Sequence, residues 1–413
     1  MSPTPRAALA LTGAAAVALF LPAWVALMAF VAVGGITLAD MWLSRRSPVV
    51  VRSVAPILSR GIPAPMTLQP EAIARLRLHQ PLPPDLKLEP QEAASFLKAE
   101  ITARRRGRHT LASAAARTVG PLGLGVTFHR VAGDSDVLVY PDMPAAHALA
   151  LSVRYGTFRQ EGRRPRGPLG LGTEFESIRE YLPDDDIRQV NWRATARMGT
   201  PMSNVHRVEH DREVMCLIDC GRLMAAPIQD RTRLDAAVDA TAAMAAVAEE
   251  LGDRMGVMAF DHGVRRLVKP RRNGGPAVLA AVFDLEPSEQ DSDYELAFRR
   301  VAAAKRSFIL ILTDILEENA ARPLVEAMPV LARHHQVAVA SVVDDDLESA
   351  VSTRPQVAAD AYRAVAALGV LEARAKVIVM LGHAGAQVVE APLGLLSTRC
   401  VGAYLEAKAR GRL

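Results

Sequence analysis

The segment Ala7–Ala39 carries no charged side chain over 33 consecutive positions, and this constrains the fold of the whole chain. A helix that crosses a bilayer needs only about 20 apolar residues, so we expect the segment to enter a membrane. Arg6 is the one charge before it, whereas Arg45 and Arg46 follow it closely. Because basic residues accumulate on the cytoplasmic side of a span, we expect the remaining chain to lie in the cytoplasm at the cell membrane.

The number of crossings is open from the sequence. One straight helix of this length would reach about 50 Å, which exceeds the bilayer core of about 30 Å. Pro22 allows a bend. One alternative is a helical hairpin, Ala7–Leu21 then Ala23–Leu43, with both ends inside; the other is a single span over Pro22–Leu43 preceded by an interfacial arm. A cleaved signal peptide is disfavoured, because its apolar region holds about 7–15 residues.

The amino-acid composition limits which classes of binding partner and which cellular compartment we expect. The three cysteines, Cys216, Cys220 and Cys400, form no disulfide framework and suit a reducing compartment. A net charge of +4 is close to balance and argues against a nucleic-acid partner. Basic residues do cluster at two places, Arg104–Arg108 and Arg154–Arg166. These clusters are interpreted either as solvated loops or as contacts to anionic lipid headgroups or an acidic partner.

Beyond an anchor at residues 1–46, the composition and apolar pattern of the sequence change three times. We expect a β-rich, β-sandwich-like domain at 47–151, a basic Gly/Pro linker at 152–172, a charged segment at 173–213 and an α/β domain at 214–413. Short apolar runs bounded by Gly, Pro or Asp indicate the strands of the first domain. The hexapeptide GPLGLG occurs at Gly120–Gly125 and again at Gly167–Gly172. Neither copy is a phosphate loop, because no GK[ST] follows.

The last segment alternates apolar runs with amphipathic stretches. The predicted strands are VMCLID, MGVMAF, FILILTD, VAVASVVD and KVIVML, and the predicted helices are Leu234–Leu251, Pro276–Leu285, Tyr294–Lys305, Arg322–His334 and Val357–Ala373. Continuous apolar runs indicate strands that are buried on both faces of a mainly parallel sheet. Crossover helices would then cover both faces, which predicts an open, doubly wound α/β domain.

Carboxylates follow these strands. Asp219, Asp261, Asp314 and Asp344 each stand at the C-terminal end of an apolar run, where open α/β sheets bind ligands. Several carboxylates on one edge suit a hard divalent cation. Asp also begins turns and caps helices, and for Asp261 and Asp344 this simpler interpretation is favoured.

The segments that carry these residues resemble known families. "LIDCGRLM" around Asp219, then "TRLDAAVDA", "GDRMGVMAFD" and "FILILTD", resembles a von Willebrand factor A domain. The stretch Gly172–Glu213 closely resembles the signature of the bacterial "domain of unknown function 58" family. The layout of membrane segments, β-rich region, signature and A-type domain also fits that family. The resemblance spans nearly all of the chain and implies a Rossmann-like A-type domain at its C-terminal end.

The resemblance implies a degenerate metal site. A-type domains hold a metal with Asp-x-Ser-x-Ser, a threonine from a second loop and a later Asp. Asp219 and Asp314 match the two aspartates, and Ser292 stands in the threonine position. Gly221 and Leu223 replace the two serines, so both of those hydroxyl ligands are missing. Mg²⁺ keeps several waters, and the expectation is therefore weak Mg²⁺ binding or none, with the aspartates then serving as hydrogen-bond acceptors.

The signature segment is dense in charge around Trp192. Its charged residues are Arg179, Glu180, Asp184, Asp185, Asp186, Arg188, Arg193 and Arg197. Arg pairs with carboxylates and stacks on indoles, so this network could fasten the linker to the sheet domain. Alternatively the segment is a recognition surface, since exposed Trp and Arg are favoured anchors of interfaces. The residues expected at such a surface are Arg179, Tyr181, Asp185, Arg188, Trp192 and Arg197.

No catalytic arrangement is expected. The sequence has no GxSxG elbow and no Cys–His group with supporting spacing, so an enzyme and a small-molecule substrate are not predicted. The resemblance implies an adaptor that works with a MoxR-type AAA+ ATPase. Two alternatives are a metal-dependent hydrolase that uses Asp219 and Asp314, and a purely structural envelope-associated protein.

Overall fold

A computed structural model describes residues 2–16, 22–71, 76–158, 174–182, 187, 190–207, 211–315 and 318–410 of the chain. Contacts divide the chain into two compact units, Met1–Tyr140 and Pro141–Leu413. Asp185, Arg188 and most of the expected linker 152–172 lie outside the described residues.

The first unit begins with two helices in contact, α1 (Pro5–Ala16) and α2 (Ala23–Leu43). The helix over Trp24–Leu43 is long and apolar enough to cross a membrane. The 12 residues of α1 extend about 18 Å, which is too short for a bilayer core of about 30 Å. Thr4, directly before α1, and Asp40, in the last turn of α2, both form hydrogen bonds with the loop Gly120–Gly125. The two helices therefore pack against each other as a hairpin, but among the described residues only α2 is long enough to span a bilayer, so both alternatives for the number of crossings stay predictions.

The rest of the first unit consists of short strands. Their bounds are β1 Ser2–Pro3, β2 Val50–Val54, β3 Ile57–Ser59, β4 Ala64–Pro70, β5 Leu76–His79, β6 Leu86–Glu89, β7 Glu92–Ala94, β8 Leu97–Ala103, β9 Gly107–Leu111, β10 Ala114–Val119, β11 Gly125–Val131 and β12 Ser135–Tyr140. They form sheets in the orders β2-β4-β8-β6, β3-β12-β9 and β1-β11-β10-β5-β7. Alternating apolar residues of all three sheets, such as Leu68, Val139 and Leu78, share one core. The unit is β-rich as expected, but three sheets surround the core instead of the two layers of a sandwich.

The second unit contains nine described helices and ten described strands. The helices are α3 Met143–Arg154, α4 Trp192–Met198, α5 Arg233–Glu250, α6 Gly275–Val282, α7 Tyr294–Ala302, α8 Glu318–Ala332, α9 Asp345–Ser352, α10 Ala358–His383 and α11 Leu396–Ala409. The strands are β13 Glu174–Glu180, β14 Met202–Arg207, β15 Glu213–Asp219, β16 Pro227–Ile228, β17 Arg231–Thr232, β18 Arg254–Phe260, β19 Val264–Arg271, β20 Ser307–Leu312, β21 Gln336–Val342 and β22 Gln387–Ala391.

The boundary between the units lies at Tyr140, earlier than the predicted end of the β-rich region at 151. Helix α3 begins at the cap of Asp142, whose carboxylate accepts the amide of Ala145 at 3.0 Å. Its buried residues Ala146, Ala150 and Val153 are spaced i, i+4, i+7 and join the core around α5. This apolar stripe attaches α3 to the sheet unit.

A six-stranded sheet in the order β19-β18-β15-β20-β21-β22 forms the centre of the second unit. Five strands are parallel, and β19 is an antiparallel edge strand. Alternate residues of β15 enter two separate cores: Cys216 with helices α3, α5, α6 and α11, and Leu217 with α7, α8 and α10. Helices therefore cover both faces, and the predicted mainly parallel α/β arrangement agrees with this topology.

The prediction of one strand was wrong. KVIVML, residues 376–381, lies inside helix α10, and the last strand is β22. Within that run Val377 and Leu381 are buried at i, i+4 spacing, which is helical and not strand periodicity. Gly385, at φ 96°, follows the helix end and lets the chain turn toward β22. The charged edge strand β19 was not predicted, because its side chains are mostly exposed.

The C-terminal helix α11 is attached to the sheet by a buried aspartate. The carboxylate of Asp253 accepts the amide of Arg212 at 3.0 Å, and it also accepts the Tyr404 hydroxyl and the Lys408 ammonium group. Burial, with the Asp253 charge beside it, raises the pKa of Tyr404 well above its usual value, so the phenol stays a donor.

We expect Asp253→Ala to release α11, because a buried ammonium group loses its counter-charge at a cost of about 3–5 kcal/mol. Cys400 lies on this helix and is buried, so its alkylation rate reports the release. Mass spectrometry of the alkylated full chain should show faster modification of Cys400 than in the unsubstituted chain. Asp230→Ala, at an exposed ion pair, is the control and should leave the rate unchanged. An unaltered Cys400 rate in Asp253→Ala would contradict the attachment.

Candidate functional site

The candidate site lies where two central parallel strands end. Asp219 is the last residue of β15, and Asp314 follows β20 by two positions. These strands pair in parallel with Ile218 opposite Leu312, so both carboxylates reach the same edge of the sheet. Both aspartates are buried. This is the edge at which open α/β sheets bind ligands.

Asp219 accepts four hydrogen bonds from the protein itself. The amide of Gly221 donates at 2.8 Å, the hydroxyl of Thr313 at 2.6 Å and the phenol of Tyr294 at 2.7 Å. The fourth donor is the hydroxyl of Ser292. These donors stabilise the buried charge without a counter-ion.

Tyr294 belongs to this group as a fixed donor. Its oxygen lies 2.9 Å from the Thr313 hydroxyl, and its ring packs edge-on against Phe260 and Phe298. Burial raises the pKa of Tyr294 well above its usual value, and the Asp219 charge raises it further. The phenol therefore keeps its proton and continues to donate.

Asp314 is neutralised by an arginine. Nη1 of Arg233 donates to Asp314 Oδ1 at 2.8 Å, and the Ile315 amide donates to the same oxygen at 2.9 Å. Burial raises the pKa of Asp314, and the charges of Arg233 and Arg374 oppose that rise. Arg374 reaches Asp314 indirectly, because its Nη2 donates to the Ser341 hydroxyl at 2.9 Å. Two buried guanidinium groups thus supply positive charge at this end of the sheet.

The arrangement does not fit a magnesium site. Gly221 and Leu223 supply no hydroxyl, and a Cβ at Gly221 would collide with the Ser292 hydroxyl, which would have to leave its present position to admit a serine. The Ser292 hydroxyl donates its proton to Asp219, and Arg233 already supplies a cation to Asp314. Among the described residues, no three His, Cys, Asp or Glu side chains are grouped to hold a metal. Mg²⁺ takes about six oxygens in near-octahedral positions and keeps waters at several of them, but the protein oxygens that it would use, on Asp219, Ser292 and Asp314, are already hydrogen-bonded to one another or to Arg233.

A small cavity borders this ion pair. Its volume is about 10 Å³, and Arg233, Thr313, Asp314 and Ser341 are among its lining residues. Within the described part of the chain, Asp314 Oδ2 and Arg233 Nε have no hydrogen-bond partner. This volume corresponds to about one water molecule, so the cavity is too small for a hydrated cation or an organic substrate.

The other two strand-end aspartates stabilise local turns and caps, as the sequence favoured, and Asp344 Oδ2 also lies 3.9 Å from Arg233 Nη2. Asp261 accepts the amide of Gly263 at 3.1 Å in the turn between β18 and β19. Asp344 caps α9 by accepting the amide of Asp346 at 3.1 Å.

The signature segment folds as a hairpin that carries a short helix. Strands β13 and β14 pair antiparallel, and α4 lies between them. The Asn191 carboxamide caps α4 by accepting the Ala194 amide at 3.0 Å, and Gly199, at φ 70°, ends it in the left-handed conformation. The Thr195 hydroxyl accepts the Met202 amide at 3.0 Å, which fixes α4 on β14.

This segment holds the predicted interaction residues that the structure describes. Trp192 begins α4 and Arg197 lies in its last turn; both are exposed. Arg179 is on β13 and donates to the carbonyl of Glu180 at 3.0 Å, and the amide of Tyr181 bonds the carbonyl of Pro201. Asp185 and Arg188 lie outside the described residues, as do Asp184 and Asp186.

Sequence reasoning found Asp219, Ser292 and Asp314 but missed the residues that neutralise them. Arg233 is the first residue of α5, where the helix dipole disfavours a cation. That unfavourable position is a signal that Arg233 has a carboxylate partner elsewhere. For Tyr294 and Thr313 the signal was weaker: they only stand close in sequence to Ser292 and Asp314, which had already been selected.

The fold and this edge of the sheet define an α/β protein whose helices cover both faces of a mainly parallel sheet. The family model described as "Protein of unknown function DUF58" matches residues 177–360, from β13 into α10. This match supports assignment of the chain to the DUF58 family, as the signature segment predicted. No curated protein matches the chain.

We expect Arg233→Met to destabilise the protein by about 3–5 kcal/mol, because it leaves the buried Asp314 carboxylate uncompensated. Without Arg233 the pKa of Asp314 rises further, so its protonation at lower pH removes the uncompensated charge. The stability deficit of the variant should therefore shrink as pH falls and be largest near neutral pH. Urea unfolding of the full chain in detergent at several pH values measures this.

Arg231→Met is the matched control for that substitution. Its guanidinium pairs with Asp239 at 3.1 Å but is partly exposed, so we expect a loss of about 0–1 kcal/mol. Equal losses in the two variants, or a deficit in Arg233→Met that grows on acidification, would contradict the assigned pairing.

We expect Gly221→Ser to lower stability by about 1–3 kcal/mol without creating magnesium binding, because the new Cβ collides with Ser292. Thermal unfolding with and without MgCl₂ tests both statements. Gly263→Ser, where a Cβ has open space, is the control and should have little effect. A magnesium-dependent rise in the melting temperature of Gly221→Ser would show instead that the edge is a metal site lacking one hydroxyl.

Proposed function

We propose that this chain is a membrane-anchored adaptor whose bulk lies in the cytoplasm and which binds proteins without transforming a substrate. In this proposal the second unit is a von Willebrand factor A-type recognition domain. Its partner is a MoxR-type AAA+ ATPase, a partner class that comes from the family resemblance.

The anchor is supported by the positions of two tryptophans. Trp24 and Trp42 are exposed near the two ends of α2. Their spacing of 18 residues corresponds to about 27 Å along a helix, close to the bilayer core of about 30 Å. Tryptophan concentrates at both membrane–water interfaces, so this spacing matches two interfacial belts.

The orientation is supported by basic residues on one side of the hairpin. Arg6 lies in the first turn of α1, and Arg45 and Arg46 follow α2. The start of α1 and the end of α2 contact the same loop. These arginines therefore lie on the same side of the membrane as the β-rich part of the first unit. The positive-inside bias then assigns that side to the cytoplasm.

The A-type assignment is supported by the order of the site residues on the sheet. Asp219 ends the first strand of the sheet, and Asp314 follows a strand paired to it. Ser292 comes from a separate loop and bonds Asp219 directly. This arrangement matches the residue-by-residue likeness that the sequence suggested.

The binding role is carried by one observation: α4 buries none of its residues. Trp192 is 71% exposed, Met198 is 67% exposed and the neighbouring Ile187 is 70% exposed. Large apolar side chains exposed along one segment mark a candidate interaction site, and Trp is a frequent centre of binding energy. Two helix caps hold α4 in place, so little conformational entropy is lost on binding.

The absence of turnover is supported by the engagement of the two aspartates. A hydrolase that used Asp219 and Asp314 would need their oxygens for a metal or a water. Asp219 accepts four protein donors and Oδ1 of Asp314 accepts an arginine. The cavity that the described residues form beside them is about 10 Å³, the volume of about one water molecule.

We expect Trp192→Ala to reduce copurification of the AAA+ ATPase from native membranes by roughly 30-fold, the effect of a hot-spot residue worth about 2 kcal/mol. Because Trp192 is exposed, its removal should not unfold the chain. Tyr362→Ala, also exposed but on α10, is the matched control and should leave the yield unchanged.

A photo-crosslinking residue at position 198 should attach to the same ATPase, and one at position 362 should not. Equal ATPase yields from the two alanine variants would contradict the assigned surface. If neither the unsubstituted chain nor the crosslinker recovers an ATPase, the adaptor proposal is wrong and the structural alternative is favoured.

A further inference from the structure

We propose that the loop Gly120–Gly125, the GPLGLG loop, inserts into the headgroup layer of an anionic bilayer with Leu122 at its tip. Arg6, Arg45 and Arg46 then contact lipid phosphates beside it. This inference rests on the membrane anchor of the proposed function and adds a second, peripheral contact made by the β-rich unit.

The loop is fixed to the end of the apolar helix by a buried carboxylate. Asp40, in the last turn of α2, is 1% exposed. It accepts the amide of Leu122 at 2.9 Å and the amides of Leu124 and Gly125 at 2.8 Å each. A carboxylate at the end of a spanning helix needs such donors, and here the loop supplies three.

The approach of loop and helix depends on glycine. A Cβ at Gly125 would lie 2.6 Å from the Cα of Met41, and a Cβ at Gly120 would collide with the Asp40 carboxylate. Only glycine permits this distance at the two ends of the hexapeptide.

The other helix of the hairpin meets the same loop. The amide of Thr4 donates to the carbonyl of Leu124 at 2.8 Å, and its hydroxyl donates to the carbonyl of Gly123 at 2.8 Å. After α2, the Ser44 hydroxyl lies 2.7 Å from that of Thr127. With three attachments, the depth of the loop is set by the depth of the helices.

These attachments place Leu122 at the membrane surface. The Leu122 amide bonds Asp40, which precedes Trp42 by two residues, or about 3 Å along the helix. If Trp42 lies at the interface, the loop backbone lies there too. Leu122 is nevertheless 62% exposed, so its apolar side chain has no cover within the protein.

Charge identifies lipid as the occupant. Arg6, beside Gly123, and Arg45 and Arg46, directly after α2, are all exposed and have no ion-pair partner among the described residues. Each basic residue near an anionic leaflet is attracted to it, which suits a surface composed of one apolar tip and three guanidinium groups.

The test uses single cysteines labelled with an environment-sensitive fluorophore in full-length protein. The positions are Leu122→Cys, Leu27→Cys on the exposed side of α2, and Glu92→Cys on the far edge of the same five-stranded sheet. The native cysteines are buried, and the unsubstituted chain measures their background labelling. Each protein is reconstituted in vesicles of phosphatidylcholine and phosphatidylglycerol without other proteins, so any shielding is due to lipid.

We expect the label at 122 to be quenched by nitroxide lipids and to be severalfold less accessible to iodide than the label at 92. If 122 is as accessible to iodide as 92 while 27 is shielded, the loop contact is overturned and the anchor stands. If 27 is itself accessible to iodide, the anchor of the proposed function fails. Changing Arg45 and Arg46 to Gln should increase iodide access at 122, and unchanged access would overturn the headgroup contacts.

Discussion

A carboxylate removed from water needs donors or a counter-charge, and four buried aspartates determine how this chain is assembled. Backbone amides of a loop donate to Asp40, and three hydroxyl groups and one amide donate to Asp219. Arg233 pairs with Asp314, and Lys408 pairs with Asp253. Each interaction joins segments far apart in sequence. In the first unit it joins the apolar hairpin to the β-sheet, and in the second unit it joins helices to the central sheet.

These interactions also decide what the second unit can do. The edge of a parallel sheet at the strand ends is the usual ligand site, yet here both oxygens of Asp219 and Oδ1 of Asp314 accept the protein's own donors. Positive charge comes from Arg233, fixed on the first turn of α5. Large apolar side chains are exposed elsewhere, on the signature segment around Trp192 and on α10 around Tyr362. This division supports a binding surface that is separate from the aspartates.

The sequence predicted those parts of the fold that depend on local pattern. Four central strands and five helices followed from apolar periodicity, and the strand-end aspartates followed from their position. KVIVML was mistaken for a strand because a six-residue apolar run does not distinguish a strand from a buried helix turn. Of the donors to Asp219 and Asp314, Tyr294 and Arg233 could not be predicted, because they contact the carboxylates only after the sheet has formed. Their partners are tertiary contacts, which no spacing along the chain encodes.

The protein's own donors hold Asp219 and Asp314, so we expect this edge of the sheet to bind no metal. Crystals of the full chain grown with MnCl₂ test it most directly, because Mn²⁺ takes the same oxygen ligands as Mg²⁺ and scatters anomalously. We expect no anomalous peak at this edge and an intact ion pair between Arg233 and Asp314. A manganese ion bonded to both carboxylates, with Arg233 displaced, would contradict it.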